Sequence, residues 1–178
     1  MQQLLSILLV PTKDGENYLS KIIRDLGTRY QAPVFVPHLT LFGGIVMEPE
    51  VLKTIVGSVF ENIRPFKVKK TKINQSELFF KTVFIEFELS EELQNLFMEV
   101  SKRTDNRNLS TFKPHISLLY KTMPEEEKLN IIETLNIKDE FEIGKVVINA
   151  PANPEDKDFL NVSGWKSLYE KPLKQTYG

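Results

Sequence analysis

Short apolar runs alternate with helical stripes along this chain. Leu4 to Val10 is apolar except at Ser6 and closes at Pro11, the pattern of a buried strand. After Asp14 and Gly15, Tyr18, Ile22, Leu26 and Tyr30 recur at every fourth position, with Leu19 and Ile23 beside them. That stripe predicts a helix with one face packed inward. Val34 to Phe42 predicts a strand ended by Gly43-Gly44. Pro49 sits at the start of a second helix, whose stripe is Val51, Leu52, Ile55, Val59 and Ile63. Phe66 to Ile73 reads as a half-exposed strand, with Lys67, Lys69, Lys70 and Lys72 as a solvated edge.

Phe79 to Leu89 is the strongest strand signal. Val83, Ile85 and Phe87 share one face, and Phe80, Thr82, Phe84 and Glu86 the other. Ser90 is a candidate N-cap for a helix carried by Leu93, Leu96, Phe97 and Val100 to about Arg103. Pro114 to Tyr120 predicts a strand. Pro124 and the acidic run after it open a helix expected to bury Leu129, Ile132 and Leu135. Phe141 to Asn149 predicts a strand, Ala150 to Asn161 a loop, and Val162 to Leu168 a last strand. The order is β-α-β-α-β followed by β-α-β-α-β-β, so the second half repeats the first. No linker composition marks the junction near Asn74 to Glu77. One domain, 1–178, of two pseudo-symmetric lobes (approximately 1–75 and 76–178) is expected.

Composition removes several function classes. With 178 residues, 41% apolar and 26% charged, the chain is an ordinary globular one rather than disordered. It has no cysteine, which excludes thiol catalysis, disulfide scaffolding and thiolate metal sites. A net charge of −1 argues against coating long nucleic acid through bulk positive field, and leaves room for a small anionic ligand in a local pocket. The longest apolar run is far short of a membrane span and lacks a basic leader, so no membrane partner and a cytoplasmic location are expected.

Histidine occurs twice. The first half reads Pro37-His38-Leu39-Thr40-Leu41 and the second Pro114-His115-Ile116-Ser117-Leu118, one pattern at matching places in the repeat. Alternation along a strand puts His38 with Thr40, and His115 with Ser117, opposite the aliphatic positions. Across a pseudo-twofold axis the two polar faces can meet in a cleft. Two imidazoles can then divide general base and general acid duties near neutral pH. Two hydroxyls can hydrogen-bond non-bridging phosphate oxygens. Phosphodiester cleavage or cyclic phosphate hydrolysis is the reaction this set suits, and no metal is required. Two histidines without a paired carboxylate at ligand spacing make a poor metal site.

Carried by these paired motifs, the chain resembles the 2H phosphoesterase superfamily. The run Phe112 to Tyr120, the opening Leu8-Leu9-Val10-Pro11 and the run Pro33 to Leu41 are similar to its cyclic phosphodiesterase branch. The resemblance implies an α+β bilobal, LigT-like fold, each lobe a mostly antiparallel sheet with helices outside, around a central cleft. It implies His38 and His115 as catalytic residues and Thr40 and Ser117 as phosphate-binding ones. The reaction it implies is hydrolysis of 2′,3′-cyclic nucleotides to 2′-phosphates, or opening of ADP-ribose 1″,2″-cyclic phosphate. It favours His115 as the base that activates water and His38 as the acid. No cofactor and a monomer are expected. Alternatives are an enzyme of RNA ends or 2′,5′-oligonucleotides, and a non-catalytic nucleotide-binding module.

Four aromatic residues are further candidates for substrate binding. Phe42, four places after His38, falls on the cleft face of an undistorted strand, where it could stack on a base or pack in the core. Phe84 shares the less aliphatic face of its strand. Tyr120, five places after His115, falls on the wrong face of an ideal strand unless a bulge re-aims it. The resemblance puts Tyr120 and Trp165 near the ligand.

Overall fold

The computed structural model describes residues 1–105 and 112–175. Its elements are β1 (Gln3–Pro11), α1 (Lys13–Tyr30), β2 (Leu39–Met47), α2 (Pro49–Val59), β3 (Phe66–Gln75), β4 (Val83–Phe87), α3 (Glu91–Thr104), β5 (His115–Leu119), α4 (Glu125–Thr134), β6 (Glu140–Ala150) and β7 (Lys166–Pro172). Every strand pairing is antiparallel. The sheet runs β1-β2-β5-β4-β3-β6, and β6 also pairs with β1, which closes the ring; β7 adds to β6. The α+β class expected from the sequence is therefore present.

The pairings follow the repeat and cross it. β1–β2 corresponds to β4–β5. β1–β6 corresponds to β4–β3, so each half lends its third strand to the first strand of the other half. β2–β5 and β3–β6 join equivalent strands. The two motif strands meet directly, with Leu39 opposite Ile116.

Alternation sorts the side chains between two faces. Leu5, Ile7 and Leu9 of β1, Leu39 and Leu41 of β2, Val83 and Ile85 of β4, and Ile116 and Leu118 of β5 enter the main core. Leu19 and Ile23 of α1 and Leu93 and Val100 of α3 cover them. Each such side chain contributes about 1.5–3 kcal/mol by leaving water. On the opposite face of the sheet, Leu8, Val10 and Val147 form a separate small cluster. α3 starts at the expected N-cap, where the Ser90 hydroxyl accepts the Leu93 N–H at 3.2 Å.

Several expected boundaries shift. Residues 79–81 form a 3-10 turn rather than the start of a strand. The Lys81 N–H donates to Leu78 O, and Thr82 bonds the backbone of Phe79 and Lys121, local bonds that compete with a ladder. β2 starts at Leu39 and runs on through Gly43-Gly44, where Gly44 takes a positive φ of 74° that only glycine adopts freely. Val162–Gly164 is a 3-10 turn and the last strand begins later, at Lys166. α4 buries Lys128 and Ile131, while Leu129 is exposed, so its buried stripe is one residue out of phase with the expected one. β3 pairs with β6 through its first half and with β4 through its second, so it is not a free edge. Its lysines face acids: Lys67 with Glu140, Lys70 with Asp139 and Lys72 with Glu86. No helix of the described residues is long and apolar enough to cross a membrane.

Candidate active site

One cavity of about 250 Å³ takes in all four motif side chains. His38 and Thr40 line it from β2 and its approach, His115 and Ser117 from β5, with Ser6, Leu8, Phe80, Tyr120, Asn149, Phe159 and Trp165 around them. The antiparallel meeting of β2 and β5 brings the two motifs together, and alternation along each strand puts the four side chains on one face.

The proline before each histidine has the same local consequence. His38 Nδ1 lies 2.6 Å from Val36 O, and His115 Nδ1 lies 2.9 Å from Lys113 O, each the carbonyl two residues back. A carbonyl only accepts, so in both rings Nδ1 carries the hydrogen. The neutral ring then keeps its lone pair on Nε2, the nitrogen left for chemistry.

The two imidazoles differ in setting. Burial pushes His38 down to about 4, offset in part by its bond to Val36 O and reinforced by His115. Burial also lowers His115; its bond to Lys113 O and the Glu86 carboxylate oppose the shift, and the Lys81 ammonium adds to it. Burial therefore disfavours the imidazolium form of both rings in the free protein. The hydroxyls differ as well. Ser117 donates to Phe80 O at 2.7 Å, whereas the Thr40 hydroxyl has no partner among the described residues.

Of the four aromatic candidates, two line the cavity. Tyr120 does so because β5 carries a bulge. Phe84 pairs with Ser117 but Val83 pairs with Leu119, so Leu118 is an extra residue. Leu118 and Leu119 both enter the core and Tyr120 returns to the cleft, stacked on Phe35 at 3.7 Å. Burial pushes its phenol above the ordinary tyrosine value, which keeps it a neutral hydroxyl. Trp165 sits edge-on to His38 at 5.9 Å, and its indole N–H is tied to Phe159 O at 2.8 Å.

Phe42 and Phe84 are not among the residues that line the cavity. In β2, Leu8 pairs with Thr40 and Ile7 with Phe42, so Leu41 is extra and Phe42 is turned to the core, where it stacks on Phe97 at 4.5 Å. Phe84 is buried beneath the site. Its ring meets the His115 ring at 5.5 Å and carries the Lys81 ammonium 4.4 Å from its centre. It supports a motif residue instead of forming a wall. Ser6, Leu8, Asn149 and Phe159 line the cavity without having been singled out. Ser6 and Asn149 were each visible as a lone polar residue at the inside or end of an apolar strand.

A family model described as "Cyclic phosphodiesterase-like protein" matches residues 4–164. The chain belongs to that family. The cyclic phosphodiesterase of Arabidopsis thaliana is 27% identical over 132 residues, covering 72% of this chain and 71% of that protein. Among solved structures, E. coli LigT complexed with 3′-AMP superposes at a TM-score of 0.60 with 15% identity, over 98% of this chain and 100% of that one. LigT complexed with ATP gives 0.58 and 15%, over the same shares. Membership of the 2H phosphoesterase superfamily and a LigT-like fold, both expected from the paired motifs, hold for this cyclic phosphodiesterase-like chain.

Proposed function

We propose that the chain hydrolyses a small cyclic phosphodiester, a 2′,3′-cyclic nucleotide or ADP-ribose 1″,2″-cyclic phosphate, without a metal ion. One observation carries the reading: two imidazoles, each with Nδ1 tied to the carbonyl two residues back, line a single cavity with Thr40 and Ser117. The family match and the name of the Arabidopsis relative support the substrate class. So does the small cavity, which suits one phosphate with its sugar.

In this mechanism a neutral imidazole takes a proton on Nε2 from water as the water oxygen bonds to phosphorus. The phosphorus bond to the ring oxygen opposite then breaks, and the other imidazole, protonated, gives its Nε2 proton to the departing oxygen. Water is added across one P–O bond and the two histidines exchange protonation states. Thr40 and Ser117 hydrogen-bond the non-bridging oxygens as charge builds there. For Ser117 to donate, it must release Phe80 O.

The resemblance assigns His115 as base and His38 as acid with a 2′-phosphate product. Burial disfavours an imidazolium at His38 in the free protein, so that assignment requires the bound phosphodiester to stabilise one there. Burial that disfavours a lone imidazolium at His38 favours one paired with a phosphate anion, because the same desolvation strengthens the ion pair. The test is turnover of 2′,3′-cyclic AMP with phosphorus NMR of the product. A 2′-phosphate is expected; no hydrolysis of any cyclic phosphate would remove the proposal.

A further inference from the structure

Ser6 and Asn149 are both only 6% exposed and both line the cavity. They face each other across the β1–β6 ladder. Neither the Ser6 hydroxyl nor the Asn149 carboxamide makes a hydrogen bond among the described residues, and neither ranks as sealed from the cavity. Buried polar side chains usually have a partner, so this pair needs an account.

The repeat supplies an internal comparison. The equivalent of the β1–β6 pairing is β4–β3, where Thr82 and Ser76 occupy the corresponding positions and the Ser76 N–H donates to Thr82 O at 3.2 Å. There both hydroxyls are consumed by the fold. Thr82 Oγ1 donates toward Phe79 O and Lys121 O at 3.0 and 2.8 Å and accepts the Lys121 N–H, and Ser76 donates to Lys81 O. In the first half the same positions are left with unused donors and acceptors pointing at open space. Gly43 widens that space. It is the counterpart of Tyr120, and a Cβ there would stand 3.9 Å from the Ser6 hydroxyl and 3.7 Å from the Thr40 methyl.

Position decides what the pair meets. Thr40 is on β2 and pairs with Leu8 of β1, and Asn149 is one strand further, on β6. Two strand spacings put Asn149 roughly 10 Å to the side of the phosphate-facing hydroxyl. That offset sets Asn149 to one side of the phosphate-facing hydroxyl, where the rest of a nucleotide would extend. Asn149 is also next to the aromatic surface. With Leu8, His38 and Trp165 it belongs both to this cavity and to the adjoining one of about 590 Å³. A base held against Trp165 would occupy space that Asn149 also lines. A carboxamide offers a donor and an acceptor side by side, the pattern that pairs with base edges.

We infer that Asn149, assisted by Ser6, reads the hydrogen-bonding edge of the substrate's nucleobase and sets base preference. The inference rests on the proposed cyclic phosphodiesterase activity for its substrate, but base reading can be measured without turnover. The first measurement is calorimetric binding of the four nucleoside 2′-monophosphates to the full chain and to Asn149→Leu. Wild type should bind them unequally, and the variant should compress the spread by about fivefold to tenfold, one hydrogen bond's worth. The second is kcat/KM for 2′,3′-cyclic nucleotides relative to abasic ribose 2,3-cyclic phosphate. That ratio should fall by a similar factor in Asn149→Leu, mostly through KM, and less in Ser6→Ala. Base-selective binding lost in the variant with no turnover by wild type would leave the inference standing and remove the activity. An unchanged base preference in Asn149→Leu, an equal loss on the abasic compound, or no binding of any mononucleotide would overturn the inference.

Discussion

At the level of single residues, the proposed chemistry depends on the Nε2 atoms of His38 and His115. His38→Ala and His115→Ala should each lower kcat by about 10² to 10⁴, the range for general acid–base groups, in assays at saturating substrate. The hydroxyls should not be equal. Thr40 is free to donate at once, whereas Ser117 must give up its bond to Phe80 O, worth about 1 kcal/mol net. Thr40→Ala should therefore cost more in kcat than Ser117→Ala; the reverse order would show that Ser117 changes partner without penalty. The pH profile follows from burial. The singly protonated pair exists between two constants, and both are lowered, His38 to about 4 and His115 below its ordinary 6.5. Raising pH through the upper one removes the acid, and lowering pH through the lower one removes the base. The kcat/KM profile should thus be a bell with its maximum on the acid side of 6.5 and limbs belonging to the pair. The limbs of kcat should lie higher, since a bound anion favours imidazolium. These residues were legible because the protein has two histidines and uses both in one motif. Their unequal burial was not, since it depends in part on Trp165 arriving from a distant segment.

At the level of elements, periodicity predicted the order of helices and strands, and it failed where the backbone departs from ideal pleating. Strict alternation would put Phe42 on the cleft face and Tyr120 off it, and an extra residue in each motif strand, Leu41 and Leu118, reverses both. A bulge leaves no composition signal in Leu41-Phe42 or Leu118-Leu119, which read as plain apolar strand. Deleting Leu118 should remove the bulge and leave strict alternation from Ser117 through Leu119 to Tyr120, so Tyr120 should keep its cleft side, with turnover of a 2′,3′-cyclic nucleotide still measurable and far-UV circular dichroism native-like. α4 shows a different failure. Its buried stripe includes Lys128, which no hydropathy pattern selects. The Lys128 ammonium is buried where it donates to Ser76 O at 3.0 Å and pairs with the Glu77 carboxylate, pinning α4 to the chain between β3 and β4. Lys128→Ala should destabilise the fold by about 3–5 kcal/mol if the Glu77 partner were equally buried, but Glu77 is largely exposed, so about 1–3 kcal/mol is expected in urea unfolding.

At the level of the whole molecule, the repeat was legible from the order of elements and the paired motifs, while the exchange of third strands between halves was not. Alternation says which face a residue takes, and it carries no information about which strand lies alongside. Excess chelator should leave turnover unchanged, because four side chains supply every step of the proposed reaction; loss restored by one divalent ion would overturn it. The closed pairing order also has a historical consequence. Fragments 1–75 and 76–178 would each leave β3 or β6 without its main partner strand, so neither should fold alone, and co-expression should recover activity. Two identical copies of a half-length ancestor, swapping their last strands, would close the same ring and bring two identical histidine strands face to face. Joining the copies end to end would then free each half to diverge, and this chain carries that divergence as Tyr120 opposite Gly43 and as a satisfied Thr82–Ser76 pair opposite an open Ser6–Asn149 pair.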